Sequence, residues 1–306
     1  MAGGQERVLR RRIRSVQSTR KITKAMELIA ASRIVRAQAR IAANRPYRLG
    51  MQKILRVTAA ADPAAAKRLL GTPDSPTRVG VLAVVADRGL AGSYNSGVLR
   101  TTERLVAEHQ RNGAEVTLWT VGKKAPGYFR YRGIDIAVSF PGIADRPEFD
   151  DARAVAAAVT GPFVLGEMDL VQMVSTRFIS AGTQRVEMQQ MLPLPLPDEG
   201  TDEDAVDPNA AAPGTVGYTE FEPEPEKLLA TLAPRAAESE IFSALLEGSA
   251  AFFTAQQRAM AAATDNADEL VRTLTRVMNR ARQDSITTEI MEIVGGAEAL
   301  RQSKGA

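Results

Sequence analysis

At both ends of this chain apolar residues recur three and four positions apart, over runs longer than a compact domain is wide. Near the start the stripe is Leu9, Ile13, Val16, then Ile22, Met26, Ile29, then Ile34, Ala37, Ile41. Near the end it is Leu270, Leu274, Val277, Ala281, then Ile286, Ile290, Ile293, Ala297, Leu300. Such spacing belongs to the face of an α-helix, and alternating fours and threes are what a coiled-coil seam requires. Residues 5 to 49 contain no glycine and are rich in Arg, Ala, Ile and Leu, the composition of a helix. At 1.5 Å per residue the first helix reaches about 75 Å, with Pro46 as a place where it bends or ends. Pro234 and Gly248 are the corresponding breaks in the last segment.

Between these ends the period changes. RVGVLAVVA (78–86), AEVTLWTVG (114–122), GIDIAVSF (133–140) and MDLVQMVSTRF (168–178) read as strands, and 184–192 as a fifth. The first is almost continuously apolar, which suits a strand buried on both faces. Helical stretches at 95–111 and 148–159 alternate with them, and that alternation implies an α/β layer with a mainly parallel sheet. The expected fold is therefore a long antiparallel coiled coil of N- and C-terminal helices with an inserted Rossmann-like α/β domain. Its parts are a helix over 1–60, an α/β foot over 76–192, an excursion over 193–226 and a helix over 227–306. The excursion is acidic and proline-rich, with too little bulky apolar surface to offset the entropy of ordering it.

Charge is segregated by segment. Residues 1–56 hold fifteen Arg and Lys against Glu6 and Glu27, whereas 198–226 hold ten Asp and Glu and no base. A basic arm fits a solvated face, nucleic acid, an anionic membrane or an acidic protein. Nucleic acid is disfavoured, because Tyr47 is the arm's one aromatic for stacking and no recognised binding motif is present. No apolar run approaches the roughly 20 residues that cross a bilayer. The absence of cysteine excludes disulfides and thiolate chemistry and suits a reducing compartment. The Arg-rich start shows no separate leader ahead of the first stripe, and reads as mature sequence.

DRGLAGSYNSG (87–97) follows a strand and opens a helix, as phosphate-binding turns do. It lacks G-x-G-x-x-G, the Walker lysine-serine pair and G-x-S-x-G, so neither a nucleotide cradle nor a serine elbow at Ser93 or Ser96 is expected. His109 is the single histidine, read as a solvated helix position. Asp145, Asp150, Asp151 and Asp169 have no evident acid/base partner and are read as surface charge. No catalytic, cofactor-binding or metal residue is assigned. A free α/β hydrolase or nucleotide binder with helical arms is the alternative class, distinguished by turnover of the isolated chain.

Three blocks carry a family resemblance: RIRSVQSTRKITKAMELIAASRIVRAQ (12–38), VVADRGLAGSYNSGVLR (84–100) and ATDNADELVRTLTRVMNRARQDSITTEIMEIVGGAEAL (263–300). In this order they resemble the opening helix, first strand-turn-helix and closing helix of the bacterial F-type ATP synthase gamma subunits. The resemblance implies a central-stalk rotor whose paired helices stand in a ring of alpha and beta subunits. The α/β foot and the epsilon subunit then sit on the c-ring, peripheral to the plasma membrane on its cytoplasmic side. Nucleotides bind the beta subunits, so the chain is a non-catalytic part of a proton-transporting, ATP-synthesising motor.

Residue by residue, Arg282, Gln283 and Thr287 match the family's polar contacts from the closing helix to a beta-subunit loop. Met26 matches a position beside a carboxylate-rich beta-subunit loop. Arg88, Gly89, Leu90 and Ala91 match the turn that approaches the same loop from the foot. Leu270 to Ala281 are expected as ordinary coiled-coil core, with Ile290 and Ile293 continuing the stripe as a bearing surface. One position departs from the pattern: the family often has a base where Gln256 stands, and the nearest here is Arg258.

Overall fold

In the computed structural model of the chain, residues 2–71, 75–195 and 220–304 are described. Eleven elements run in the order α1 (Ala2–Ala61), α2 (Pro63–Leu70), β1 (Arg78–Val84), α3 (Tyr94–Arg111), β2 (Glu115–Val121), α4 (Lys124–Tyr131), β3 (Val138–Phe140), α5 (Phe149–Val164), β4 (Leu170–Phe178), β5 (Gln184–Leu192) and α6 (Pro225–Lys304). They group into two compact units, Met1–Ala31 with Gln256–Ala306, and Ser32–Ala255. Of the acidic excursion expected over 193–226, residues 196–219 lie outside the described residues.

The larger unit is built on a five-stranded sheet of order β3-β2-β1-β4-β5. β1 pairs parallel with β2 and with β4, β2 pairs parallel with β3, and β5 closes the edge antiparallel to β4. The unbroken apolar run of β1 has its reason here, since Val79, Val81, Leu82 and Ala83 are fully buried between two helical layers. On one face Leu82, Trp119, Val171 and Met173 pack with Leu55 of α1, Ala65 of α2, Val155 of α5 and Ile241 of α6. On the other, Val79, Val81, Leu118 and Val174 pack with Val98 and Val106 of α3 and with Phe129 of α4. A Cβ on Gly80 would lie 2.4 Å from the Trp119 ring, so this glycine makes room for the indole on the next strand.

Several expectations change in detail. Pro46, Pro234 and Gly248 do not interrupt their helices, which run through all three. Each proline removes one helical hydrogen bond, and packing against the sheet on either side compensates. The strand expected over 133–140 shrinks to Val138–Phe140, because Ile134 and Ile136 turn down into the core below α3 and α4 after Gly133 takes a φ of 70°. The short helices α2 and α4 were not anticipated. Asp169 is not idle surface charge: its carboxylate accepts from Thr77 N, Thr77 Oγ1, Arg78 N and Arg78 Nη2 at 2.6–3.0 Å, tying the start of β1 to the start of β4. The Arg78 side chain is the main cause that holds this carboxyl well below the usual range, against some desolvation, with the backbone and hydroxyl donors adding to it. Asp151 likewise accepts from Glu148 N at 2.8 Å and closes the first turn of α5.

The smaller unit is an antiparallel helix pair. Thr23 Oγ1 meets Thr264 Oγ1 at 2.8 Å, and Arg20 Nε meets Asp268 Oδ1 at 2.8 Å, so α1 descends as α6 ascends. The seam keeps part of the stripe read from sequence, with Ile13 and Leu274 buried and Leu9, Val16, Met26 and Ala281 half-buried, and departs from it elsewhere. On α1, Ile13, Thr23 and Ala30 are buried, while Ile22 and Ile29 are 58% and 53% exposed. On α6, Thr264, Ala267 and Leu274 are buried, with Val271, Met278 and Ala281 half-buried in the same alternation, while Leu270 and Val277 are exposed. Leu270 and Val277 are thus outward-facing rather than coiled-coil core. A shift of one position turns a helix by about 100°, enough to move a residue off the seam.

Candidate functional site

The residues singled out from sequence fall into two groups, one in each unit. In the helix pair the register set by Thr23–Thr264 and Arg20–Asp268 puts Ala2 opposite roughly residue 285. From there on, no described helix stands beside α6 in that register. The apolar residues of this overhang stay in solvent: Ile286 is 45% exposed, Ile290 54%, Met291 67%, Ile293 72% and Val294 59%. Arg282, Gln283 and Thr287 are exposed as well. At about 100° per residue, Arg282, Ile293, Ile286, Ile290, Gln283 and Thr287 share an arc of roughly 140°, turned away from the seam. The result is one face with an apolar centre and polar flanks. Met26 is half-buried at the flank of the seam on α1. Gln256 is buried, where a base would need a counter-charge.

In the sheet unit, the turn after β1 carries Arg88, Gly89, Leu90 and Ala91. Asn95, one residue into α3, accepts from Ala86 N and donates to Arg88 O, both at 2.9 Å. Asp87 accepts from Lys123 N, Gly142 N and Ala144 N at 2.6–3.1 Å, which binds this turn to the loops after β2 and β3. Ala91 is buried and anchors the turn, whereas Leu90 is held with a φ of 63° and its side chain 62% exposed. A left-handed, non-glycine, solvent-facing leucine costs about 1 kcal/mol or more, and such conformations concentrate at functional contacts. Arg88 pairs with Asp145, a second correction to the reading of Asp145 as unpartnered charge.

A sheet of this topology commonly receives a nucleotide in the crevice at the carboxyl ends of the strands where the strand order reverses. Here that point lies between β1 and β4, and the chain fills it. Tyr94 packs edge-on against Phe252 of α6, with ring centroids 5.6 Å apart, and its hydroxyl donates to Gly248 O at 2.9 Å. Ala86, Ala91, Ala251 and Phe253 complete the cluster. Burial pushes the Tyr94 phenol far above its usual range, so it stays a donor. A Cβ at Gly248 would lie 3.2 Å from the Tyr94 oxygen, which gives this mid-helix glycine a reason.

Sequence reasoning missed a polar line where α1, α6 and the sheet meet inside the larger unit. Gln52 Nε2 donates to Glu240 at 3.0 Å, Arg48 Nη1 donates to Ser243 at 3.2 Å and to Glu247 at 3.4 Å, and Phe178 N donates to the other Glu247 oxygen at 3.2 Å. Burial pushes the Glu247 carboxyl up, with Arg48 and the Phe178 amide opposing. The signal was present: Glu240, Ser243 and Glu247 interrupt an apolar helix at spacings of three and four. His109, expected in solvent, is half-buried with Nε2 2.6 Å from Gln172 Oε1. Among the described residues no cluster of His, Cys, Asp or Glu could hold a metal ion, and no helix is long and apolar enough to cross a membrane.

Comparison with known proteins agrees with the resemblance. Curated ATP synthase gamma chains from Parafrankia sp. and Streptomyces coelicolor are 45% and 43% identical to this chain, each aligned over 97% of it and over 98% and 97% of themselves. The fold is similar to a chain of the Euglena gracilis mitochondrial ATP synthase OSCP/F1/c-ring structure, with a TM-score of 0.66, 16% identity, and 99% and 97% of the two chains covered. It is also similar to a chain of the Tetrahymena thermophila mitochondrial ATP synthase central stalk and c-ring, with a TM-score of 0.59, 23% identity, and coverage of 79% and 99%. The family model described as ATP synthase matches residues 5–300, and with these relatives it shows that the chain belongs to the ATP synthase gamma-chain family.

Proposed function

We propose that this chain is the central-stalk rotor of a bacterial F-type ATP synthase, coupling proton-driven rotation of a c-ring to conformational change at catalytic beta subunits. The observation that carries the reading is the α6 overhang, a helical face with apolar centre and polar flanks that the described residues leave uncovered. An apolar face of that kind marks a surface for a partner. Arg282, Gln283, Thr287, Ile290 and Ile293 meet the alpha and beta subunits there. Met26 and the turn Arg88–Ala91 meet an acidic beta-subunit loop. Only contacts that differ between the conformations of a beta subunit bias it, so an asymmetric face turning past equal sites suffices as the mechanism.

The chain supplies no catalytic group on this reading. The crevice where a nucleotide would enter the sheet is filled by Tyr94 and Phe252, which supports a scaffolding use of the fold. The sheet unit meets the epsilon subunit and c-ring, and membrane attachment is peripheral through that ring, on the cytoplasmic side of the plasma membrane. The functional parts are the helices 1–60 and 227–306, the α/β foot 76–192 and the acidic excursion 193–226. Reconstitution tests the assignment. The purified chain alone is expected to hydrolyse no ATP, and to confer cooperative turnover when mixed with alpha and beta subunits. ATP turnover by the isolated chain, or failure to associate with those subunits, overturns it.

A further inference from the structure

Arg88 occupies the turn proposed to meet an acidic partner loop, yet it already has a carboxylate. Its side chain is 57% exposed, while that of Asp145, its ion-pair partner, is only 15% exposed. Asp145 cannot follow Arg88 outward. Its carbonyl accepts from Ser249 Oγ of α6 at 2.9 Å, and the amide of the preceding Ala144 is held by Asp87 at 3.0 Å. Its Oδ1 is buried and meets no protein hydrogen-bond donor among the described residues. The backbone of Arg88 is fixed in turn by Asn95. What can move is the guanidinium, which has five N–H donors and one resident acceptor group.

We infer that Asp145 is the resident counter-ion of Arg88, a fixed carboxylate that competes with the acidic partner loop for the same guanidinium and so keeps that contact exchangeable. The inference rests on the reading of the Arg88–Ala91 turn as a contact. An arriving carboxylate meets a cation already half-neutralised, with a second negative charge behind it, and two carboxylates sharing one site repel. Attraction is therefore weaker than to a free arginine. When the partner leaves, Arg88 returns to Asp145 instead of standing alone, so breaking the contact also costs less. Both effects flatten the landscape over which a rotor must pass. Asp145 acts through Arg88 and touches no nucleotide, which makes it a positioning residue.

The test uses the assembled complex with alpha and beta subunits. Asp145→Asn keeps the shape and an acceptor for Arg88 but removes the competing charge. Turnover of ATP is expected to slow about threefold at low salt, the size of one screened charge contact near a surface, and the deficit should close as salt is raised. In an Arg88→Gln background the same substitution should change nothing. Asp145→Ser, smaller and also uncharged, should reproduce the slowing, and thermal unfolding of each isolated chain checks that both fold. Turnover of the Asp145→Asn complex at or above the wild-type rate overturns the proposal. So does slowing that persists with Arg88→Gln or at high salt, which is how a merely structural defect behaves. Arg88→Gln alone turning over and pumping as wild type removes the turn as a contact, and this proposal with it. Impairment by Arg88→Gln beside a silent Asp145→Asn removes only the competition.

Discussion

If the overhang of α6 is a bearing, making its apolar centre polar should loosen the complex by an amount the exposure sets. Ile290 and Ile293 keep 54% and 72% of their surface in water. Fully burying an isoleucine side chain contributes about 1.5–3 kcal/mol, so covering what remains on these two is worth roughly 2–4 kcal/mol. Replacing both with serine removes most of that term. The helix itself loses a few tenths of a kcal/mol at most per position, because serine and isoleucine have similar propensities. Each 1.4 kcal/mol is a factor of ten, which predicts a thirty- to hundred-fold weaker association, in round terms. The assay is titration of the purified chain into alpha and beta subunits, following restored cooperative ATPase, with helicity of the free chain as a control. A midpoint shifted by less than about threefold, with helicity intact, means that the overhang is a passive tail and that the partner surface lies elsewhere.

Met26→Lys places an ammonium at a half-buried flank of the seam, from which a lysine stem can reach solvent. Assembly should survive, and ATP hydrolysis should be retained better than proton pumping; equal loss of both counts against a coupling role. Asp169→Asn removes the charge that accepts four hydrogen bonds between β1 and β4, and should cost about 2 kcal/mol in denaturant unfolding of the isolated chain. The Asp169 carboxyl is held below its ordinary value, so its stabilisation is present above the unfolded value near about 3.9 and is lost as pH falls toward the folded one. The gap between wild type and variant should be flat from about pH 8 to 5 and narrow below about pH 4. A gap as wide at pH 3 as at pH 7 would refute that account.

The elements carried by strong periodicity were legible, and those set by long-range partners were not. β1 announced its burial by having no polar residue from Val79 to Val85, and a strand covered on both faces can hardly look otherwise. The mainly parallel α/β layer and the long terminal helices followed from the alternation of periods, whereas the strand order came only with the structure. The stripe matches the seam at Ile13 and Leu274 and misses it where bulky residues stand beside small ones. Ile22, Ile29, Leu270 and Val277 attract the eye, while the buried positions are Thr23, Ala30, Thr264 and Ala267. Threonine can enter such a seam when its hydroxyl finds partners; Thr264 donates to Met260 O at 2.8 Å while meeting Thr23. Asp145 and Asp169 were unreadable as anything but charge, because their partners Arg88 and Arg78 are 57 and 91 positions away.

The exposed aliphatics beside the seam have a physical meaning. A two-helix unit that lived alone would turn its largest aliphatic residues inward, since nothing else in it can cover them. This one places Thr23, Ala30, Thr264 and Ala267 in the seam beside Ile13 and Leu274, and leaves Val8, Ile22, Leu28 and Ile29 more than half exposed on α1, with Leu270 and Val277 partly so on α6. Small seam residues let two helices approach closely but contribute less burial than the aliphatics left outside would. Outward aliphatics in water are a liability for association with anything apolar. On the proposed reading the alpha and beta subunits cover those faces in the complex. Such cover must also permit movement, which favours a broad apolar fit over numerous ion pairs with fixed geometry, because dispersion and burial are non-directional and survive sliding while a bidentate pair does not.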